Sequence, residues 1–157
     1  TLRKFEGAVL GEVHTPNVAV ISVDKLDIAS THSGPQNSTL SIQETKKHDN
    51  GTYTVKLRHE ALTQWAIQNM KGIGWAGGTY NDNPGEVLNR MKFYDADGKE
   101  LAKPSQESTN YNGDGWRQSV EVSFRFAKGL VPARMVITGT KITNVEVPFK
   151  LENVSVP

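Results

Sequence analysis

The clearest pattern along the chain is a strict alternation of apolar and polar side chains within residues 116–126. Val120, Val122, Phe124 and Phe126 are each separated by a single polar residue. Side chains of a β-strand point to opposite faces with a period of two, so these four side chains share one face. At helical spacing the same side chains would scatter around the axis. The stretch therefore predicts a strand with one buried face.

A second alternation flanks a tight-turn signal at Asn50-Gly51. Leu40 and Ile42 alternate with polar residues before the turn, and the sequence Tyr-Thr-Val-Lys-Leu continues the alternation from Tyr53. Asn-Gly supplies the positive φ angles that a two-residue hairpin turn needs. Residues 39–59 are therefore predicted to form a β-hairpin.

Further alternating or β-branched segments predict additional short strands. They lie at residues 2–10, 18–28, 88–94, 134–138 and 144–151, with residues 100–102 beginning a return strand after a turn at 95–99. Residues 11–17, 30–38 and 104–115 are rich in turn-forming or polar residues and are predicted to be connections. Pro148 cannot donate to a ladder, so the last strand is expected at an edge or with this proline on its unpaired side.

Residues 60–70 fit two patterns. Ala61, Leu62 and Trp65 could lie on one helical face, whereas Trp65, Ile67 and Asn69 could share one face of a strand. We favour the strand because the flanking segments are β, and we expect Trp65 to lie in the core. Residues 72–85 are rich in Gly and Asn and are predicted to form a long exposed loop or a flexible hairpin tip.

Eight to ten short strands separated by turn signals predict an all-β fold. We expect a two-sheet antiparallel β-sandwich, immunoglobulin-like in a loose sense, while a barrel stays open as an alternative. The chain has 157 residues and no internal repeat or shift of composition. It is therefore expected to form a single domain over residues 1–157.

Composition excludes several classes of function. Lys and Arg number 18 against 17 Asp and Glu, for a formal net charge of +1, so there is no general electrostatic reason to bind nucleic acid. Cys is absent, which excludes disulfides and a cysteine nucleophile. No apolar run approaches the ~20 residues of a membrane span. The chain begins at Thr1 without a visible signal peptide, so we expect a leader or an upstream domain to be missing from this sequence.

Three motifs together resemble a known family. They are a Trp-x-Ile-x-Asn stretch at residues 65–69, an Asp-x-Asp-Gly-Lys turn at 95–99, and a closing Val-Pro-Phe-x-Leu phrase at 147–151 that runs on to Pro157. The sequence is similar to the all-β C-terminal module of secreted or envelope proteins from planctomycete-type bacteria. The resemblance implies export from the cytoplasm and an immunoglobulin-like sandwich. It implies no activity, so no catalytic residue is carried over.

The acidic residues and histidines form no recognisable catalytic or metal motif. Aligning Gly98 with the glycine of an EF-hand loop puts Phe93 at the first ligand position, which favours a simple turn over a calcium site. His14, His32, His48 and His59 show no metal-ligand spacing and are predicted to be solvated. No Gly-x-Ser-x-Gly motif is present, and no two acids are obviously paired. We therefore expect no cofactor, no metal and no enzymatic activity, although a hydrolase with an unrecognised site stays open as an alternative.

The candidate ligand-binding residues are four aromatic side chains in or beside Gly- and Asn-rich connections. They are Trp75, Tyr80, Tyr111 and Trp116. Exposed planar rings stack on sugars and anchor protein interfaces, although such residues often only cover the ends of a core. Two functions follow. The first is a non-catalytic exported module for protein–protein contact or structural support, and the alternative is a carbohydrate-binding module with an aromatic platform. The oligomeric state is left open.

Overall fold

The computed structural model describes residues 2–63, 66 and 84–154 of the chain. Within these ranges it contains eight strands, one α-helix and a 3₁₀ turn at Pro35–Asn37. The elements are β1 (Leu2–Val23), β2 (Ser30–Ser33), β3 (Thr39–Lys47), β4 (Tyr53–Leu62), α1 (Pro84–Asn89), β5 (Met91–Tyr94), β6 (Ser105–Gly113), β7 (Arg117–Phe126) and β8 (Arg134–Val154). Across the described residues no helix has the length and apolar character needed to cross a bilayer.

The strands form two antiparallel sheets, which confirms the predicted all-β sandwich. In the part of the chain described, one sheet has three strands in the order β1-β8-β5, and the other has five in the order β2-β3-β4-β7-β6. Phe93 on β5 packs edge-on against Phe124 and Phe126 on β7, with ring centroids 5.3 and 5.0 Å apart. This contact joins the two layers at the centre of the core. The immunoglobulin-like character stays a prediction.

The two strongest predictions from the sequence are both confirmed. Val120, Val122, Phe124 and Phe126 all point into the core and are almost fully buried. The predicted hairpin is β3 and β4, which pair antiparallel. Gly51 has a φ of 81° at their turn, in the left-handed region that favours glycine.

Several predicted connections are strands in the structure. Residues 11–17 are part of β1. Asn17 takes a positive φ of 57°, and the register with β8 shifts between Thr15 and Val18, but the pairing of the two strands continues on both sides of the shift. This irregularity is a β-bulge, which accommodates Pro16 without breaking the strand. Residues 134–138 and 144–151 likewise belong to a single strand, β8, with Gly139 paired to Val18.

The predicted connection at 104–115 was wrong for a different reason. Residues 105–113 form β6, which pairs with β7 at the edge of the five-stranded sheet. An edge strand whose side chains are mostly exposed on both faces needs no apolar alternation, so its sequence looks like a loop. The predicted return strand at 100–102 is reduced to a single bridge between Tyr94 and Glu100.

Two predicted strands were only partly correct. The predicted strand at 88–94 is a strand from Met91 to Tyr94 but begins in a helix, and the predicted strand at 60–70 belongs to β4 only as far as Leu62. Leu88 lies in α1, where Pro84 at the first position suits a helix start, and Val87 and Leu88 are both buried. β4 ends at Leu62, and Ala66 is helical. The backbone N–H of Ala66 donates to Thr63 Oγ1 at 3.1 Å, the contact expected of a helix N-cap. The rest of the predicted strand at 60–70, including Trp65, lies outside the described residues, as does most of the predicted loop at 72–85.

Candidate protein-contact surface

The first and last strands continue past the core as a two-stranded arm. β1 and β8 pair from Leu2 with Val154 to Val23 with Met135, whereas β5 pairs with β8 only at residues 134–137. Residues 2–15 and 141–154, which we call the arm, therefore have no other strand partner among the described residues. At about 3.3 Å per residue the arm is roughly 45 Å long. A two-stranded ribbon of this kind is only marginally stable in water by itself.

Between the Phe5–Leu151 pair and the Val13–Thr143 pair, one face of the arm is uncharged and largely apolar. Directly opposed residues of an antiparallel pair share a face, so the register assigns each residue to its side. We call this side the apolar arm face, and it comprises Phe5, Gly7, Val9, Gly11, Val13, Thr143, Val145, Val147, Phe149 and Leu151. Val9 is 61% exposed and Phe5 50% exposed, and Val13, Val147 and Leu151 are also exposed. These side chains have the period-two pattern of a core strand but lack the cover of a core.

The opposite face of the arm carries most of its charged side chains, and several of these are paired. Lys4 Nζ lies 2.8 Å from Glu6 Oε1, and Lys150 forms an ion pair with Glu152. Glu12 Oε2 lies 3.2 Å from His14 Nε2. Exposed pairs such as these contribute only ~0–1 kcal/mol each. These charged side chains make the polar face well suited to contact with water. The apolar arm face is therefore the side of the arm that is available for a partner.

The apolar arm face continues the core face of the three-stranded sheet. The two register shifts, between Thr15 and Val18 and between Ala19 and Ile21, both insert extra residues into β1 and none into β8. Alternate residues of β8 therefore stay on one side from the buried Met135 and Ile137 to the arm. Within the described ranges, the arm is thus a sheet with no second layer over it. The pair of Thr15 and Lys141 marks the boundary between the covered and uncovered parts.

Two glycines influence the surface shape of the apolar arm face. Gly7 lies under the ring of Phe149, since a Cβ at position 7 would stand only 2.8 Å from Phe149 Cζ. The rings of Phe149 and Phe5 are 5.5 Å apart. Gly11, by contrast, has only Val145 near its missing Cβ, at 3.7 Å. The outer end of the face carries the larger side chains Phe5, Phe149 and Leu151, whereas the inner end carries Gly11, Val13 and Val145, so the face is bulky at its outer end and recessed at its inner end.

The structure places two of the four predicted aromatic residues on one hairpin. Tyr111 lies on edge strand β6 opposite Val120, on the core side of the sheet, yet it is 59% exposed. The three-stranded sheet is narrower than the five-stranded one in the described residues, which explains why β6 is left uncovered. Trp116 lies in the β6–β7 turn and is 51% exposed. Trp75 and Tyr80 lie outside the described residues.

Asp114 holds the turn that carries Trp116. Its Oδ1 accepts hydrogen bonds from the backbone N–H groups of Arg117 at 2.8 Å and Trp116 at 3.0 Å, and these donors lower the pKa of Asp114. The Trp116 carbonyl accepts from the Thr63 N–H at 2.8 Å. Gly115 has a φ of 86° between them. The indole is therefore presented from a well-defined turn.

A shallow polar pocket of about 310 Å³ lies beside this turn. Glu60 lies between two arginines there, with Oε2 3.3 Å from Arg58 Nη2 and Oε1 3.2 Å from Arg117 Nη1. Asn112, Gln118 and Ser119 also line it. Amide and carboxylate groups beside an exposed indole are the kind of chemistry that binds sugar hydroxyls.

The prediction that the histidines are solvated was wrong for His59. This side chain is 1% exposed and lies on the inner face of β4, opposite Leu40 on one side and Val120 on the other. Burial, and then the nearby positive charge of Arg90, lower its pKa from 6.5 to about 4, against a weaker opposing effect of Glu60. His59 Nδ1 has no hydrogen-bond partner among the described residues. The sequence places His59 in phase with Val55 and Leu57, and that phase was the signal for burial.

The Asp95–Lys99 segment forms the turn that the sequence predicts. Asp95 Oδ1 accepts from the backbone N–H groups of Asp97 at 3.1 Å and Lys99 at 2.9 Å, and Gly98 has a φ of 81°. The carboxylate is used to hold backbone donors. In the described ranges no three His, Asp or Glu side chains come together as a metal site.

The exposed apolar arm face was not predicted from the sequence. The alternation of Val145, Val147, Phe149 and Leu151 was visible but is the same pattern as that of a core strand. Only the absence of a facing layer distinguishes the two. Comparison of the chain with protein-family models, with curated proteins and with solved structures found no match.

Proposed function

We propose that this chain is a non-catalytic β-sandwich module that makes a protein–protein contact through the apolar arm face. The observation that carries the proposal is the row of exposed valines, phenylalanines and leucine that continues the core face of the three-stranded sheet. A ribbon roughly 45 Å long and about 10 Å wide presents a face of roughly 450 Å². The largest apolar patch on a typical monomer is ~300–600 Å² and is often functional, which makes this face a candidate interaction site.

The sandwich and the arm have separate roles in this proposal. The core, centred on Phe93, Phe124 and Phe126, keeps the base of β1 and β8 rigid. The arm then presents a preorganised β-surface, which lowers the entropy cost of binding. The similarity of the closing residues 147–157 to secreted and envelope modules supports placing this contact outside the cytoplasm.

Site-specific photo-crosslinking tests the proposal with a control built into the chain. A photoreactive amino acid replaces either Val9, on the apolar arm face, or its neighbour Leu10, which points to the polar face and is even more exposed at 78%. In cells that contain the native protein, we expect protein adducts from position 9 and few from position 10. Equal labelling from the two positions, or none from position 9, would contradict a contact surface on this face.

A carbohydrate-binding function is a second candidate, favoured by the exposure of Trp116 in the turn beside the polar pocket. Tyr111 is also exposed but lies on the opposite face of the sheet from Asn112 and Ser119, which line the pocket. Aromatic stacking on a sugar ring together with hydrogen bonds from Asn112 and Gln118 would supply the affinity. A glycan array probed with the unmodified chain, with Trp75→Ala and with Trp116→Ala tests it. Binding that is indifferent to both substitutions would remove this candidate.

A further inference from the structure

We propose that the partner of the apolar arm face is a second copy of this chain, docked face to face and antiparallel about a two-fold axis. The inference rests on the proposed function and specifies its partner. Under it, the missing second layer of each arm is the arm of the other copy. The assembly is then a continuous two-layer structure, with a sandwich at each end and two packed ribbons between them.

The distribution of side-chain size along the face favours this arrangement. The outer end carries Phe5, Phe149 and Leu151, whereas the inner end carries Gly11, Val13 and Val145. The opposed pair of Val9 and Val147 lies midway between the two ends. A two-fold axis through this pair puts the bulky end of each copy over the recessed end of the other. Packed sheets about 10 Å apart require this alternation of large and small side chains.

Charge does not oppose the pairing. No charged residue lies on the apolar arm face between the Phe5–Leu151 and Val13–Thr143 pairs, and Lys141 lies on the same side at its inner boundary. The whole arm carries four basic residues, Arg3, Lys4, Lys141 and Lys150, and four acidic ones, Glu6, Glu12, Glu146 and Glu152, so it has no net charge with His neutral. Two arms can therefore approach without long-range repulsion.

The sheet edges are less suited to a partner than the face. Pro148 lies in a stretch of β8 that has only β1 as a strand partner, and its missing N–H weakens any strand added there. Prolines and charged side chains on edge strands discourage edge-to-edge pairing. The face has neither obstacle.

The area of the apolar arm face determines the affinity expected for the dimer. Two faces of roughly 450 Å² bury about 900 Å² as a flat footprint, close to the ~1,000 Å² lower limit for a specific interface. A weak dimer is therefore expected, with a dissociation constant in the micromolar range, rather than an obligate one.

Sedimentation velocity over a concentration series tests the inference. The double variant Val9→Thr with Val147→Thr keeps side-chain shape and β-branching, so the arm's strand pairing is retained while its central pair becomes polar. We expect the unmodified chain to shift from monomer to dimer with concentration, at least a tenfold loss of affinity in the double variant, and unchanged affinity in Leu10→Thr. Circular dichroism confirms that each variant is folded. A chain that stays monomeric up to about a millimolar, or a dimer that the double variant leaves intact, would overturn the inference.

Cysteine crosslinking tests the orientation, because the chain has no cysteine of its own. In an antiparallel dimer a short bis-maleimide links Val147→Cys to itself, and links Phe5→Cys to Val13→Cys of the second copy. A parallel dimer would instead link Phe5→Cys to itself, and that result refutes the antiparallel arrangement.

The two proposals fail in distinguishable ways. A monomeric purified chain that still gives adducts to a different protein from position 9 overturns the second copy but leaves the contact surface intact. A monomeric chain that gives no adducts from position 9 removes both.

Discussion

The ring of Phe149 covers Gly7 on the neighbouring strand, where a Cβ would stand 2.8 Å from Phe149 Cζ. The two residues are directly opposed in the β1–β8 ladder. Glycine weakens a strand by roughly 0.5–1 kcal/mol, and an aromatic ring across it restores contact and shields the backbone from water. The pair is thus a local device that stabilises the arm without any contribution from the core.

Phe149→Ala is therefore expected to loosen the arm but not the sandwich. Without the ring over Gly7, amide hydrogen exchange across residues 4–12 should accelerate about tenfold, equivalent to roughly 1.4 kcal/mol of local opening. The cooperative unfolding transition should stay where it is. Val9→Ala is the control, since it removes an exposed side chain that covers no glycine, and comparable acceleration in both variants would contradict the special role of Phe149.

Phe93 and Phe5 offer a direct test of which apolar residues form the core. Phe93 contacts the rings of both Phe124 and Phe126, so Phe93→Ala should leave a cavity between the sheets and cost about 3–5 kcal/mol of the free energy of unfolding. Phe5→Ala should change that free energy by less than about 1 kcal/mol, because Phe5 is half exposed on the arm. Chemical denaturation of the two variants measures both. A large effect of Phe5→Ala would mean that the arm unfolds with the core.

His59 should make the fold sensitive to mild acid. Its pKa in the folded state is about 4, below the ordinary value of 6.5 in the unfolded chain, so the unfolded state binds this proton first as the pH falls. Stability should be fully present above pH 6.5 and decline by about 3 kcal/mol as the pH approaches 4.

Urea denaturation at a series of pH values checks this expectation, with His59→Leu as the comparison. In His59→Leu, the free energy of unfolding should change little between pH 6.5 and 4. His59→Phe repeats the test if leucine packs poorly at this position. The carboxylate of Asp114, whose pKa is lowered by the N–H groups of Arg117 and Trp116, acts only at more acidic pH. If His59→Leu kept the full dependence of the free energy of unfolding on pH, other titratable groups would be responsible for that dependence.

Substitution of Gly98 measures the energetic cost of a positive φ without a steric contribution. It has a φ of 81° and no atom within 4 Å of a Cβ built there, so Gly98→Ala introduces backbone strain without a steric contact. We expect a loss of about 1 kcal/mol in the free energy of unfolding, measured by denaturation. Gly98→Asn should cost less, because Asn tolerates the left-handed region. Equal costs for Ala and Asn would be inconsistent with strain as the cause.

The local features of the fold could be predicted well. The alternation of Val120, Val122, Phe124 and Phe126, and the Asn50-Gly51 turn between β3 and β4, led to the correct strands, faces and hairpin. β6 could not be predicted in this way, because a mostly exposed edge strand is held by backbone hydrogen bonds rather than by an apolar face. The candidate aromatic residues Tyr111 and Trp116 are exposed as the hypothesis requires. The arm was not foreseen as a site.

Within an uninterrupted strand the sequence alone determined which side chains share a face, because side-chain direction there follows the parity of the position. The two register shifts in β1, each of which changes that parity, were not predicted. Whether a face is buried was decided by the tertiary structure. Val145, Val147, Phe149 and Leu151 alternate as regularly as the residues of β7, yet only β7 has a second sheet opposite it. His59 shows the converse, a polar residue that is buried because its strand neighbours are. Burial depends on the layer that lies across from a residue, and that layer comes from distant parts of the chain or, as we propose for the arm, from a second copy.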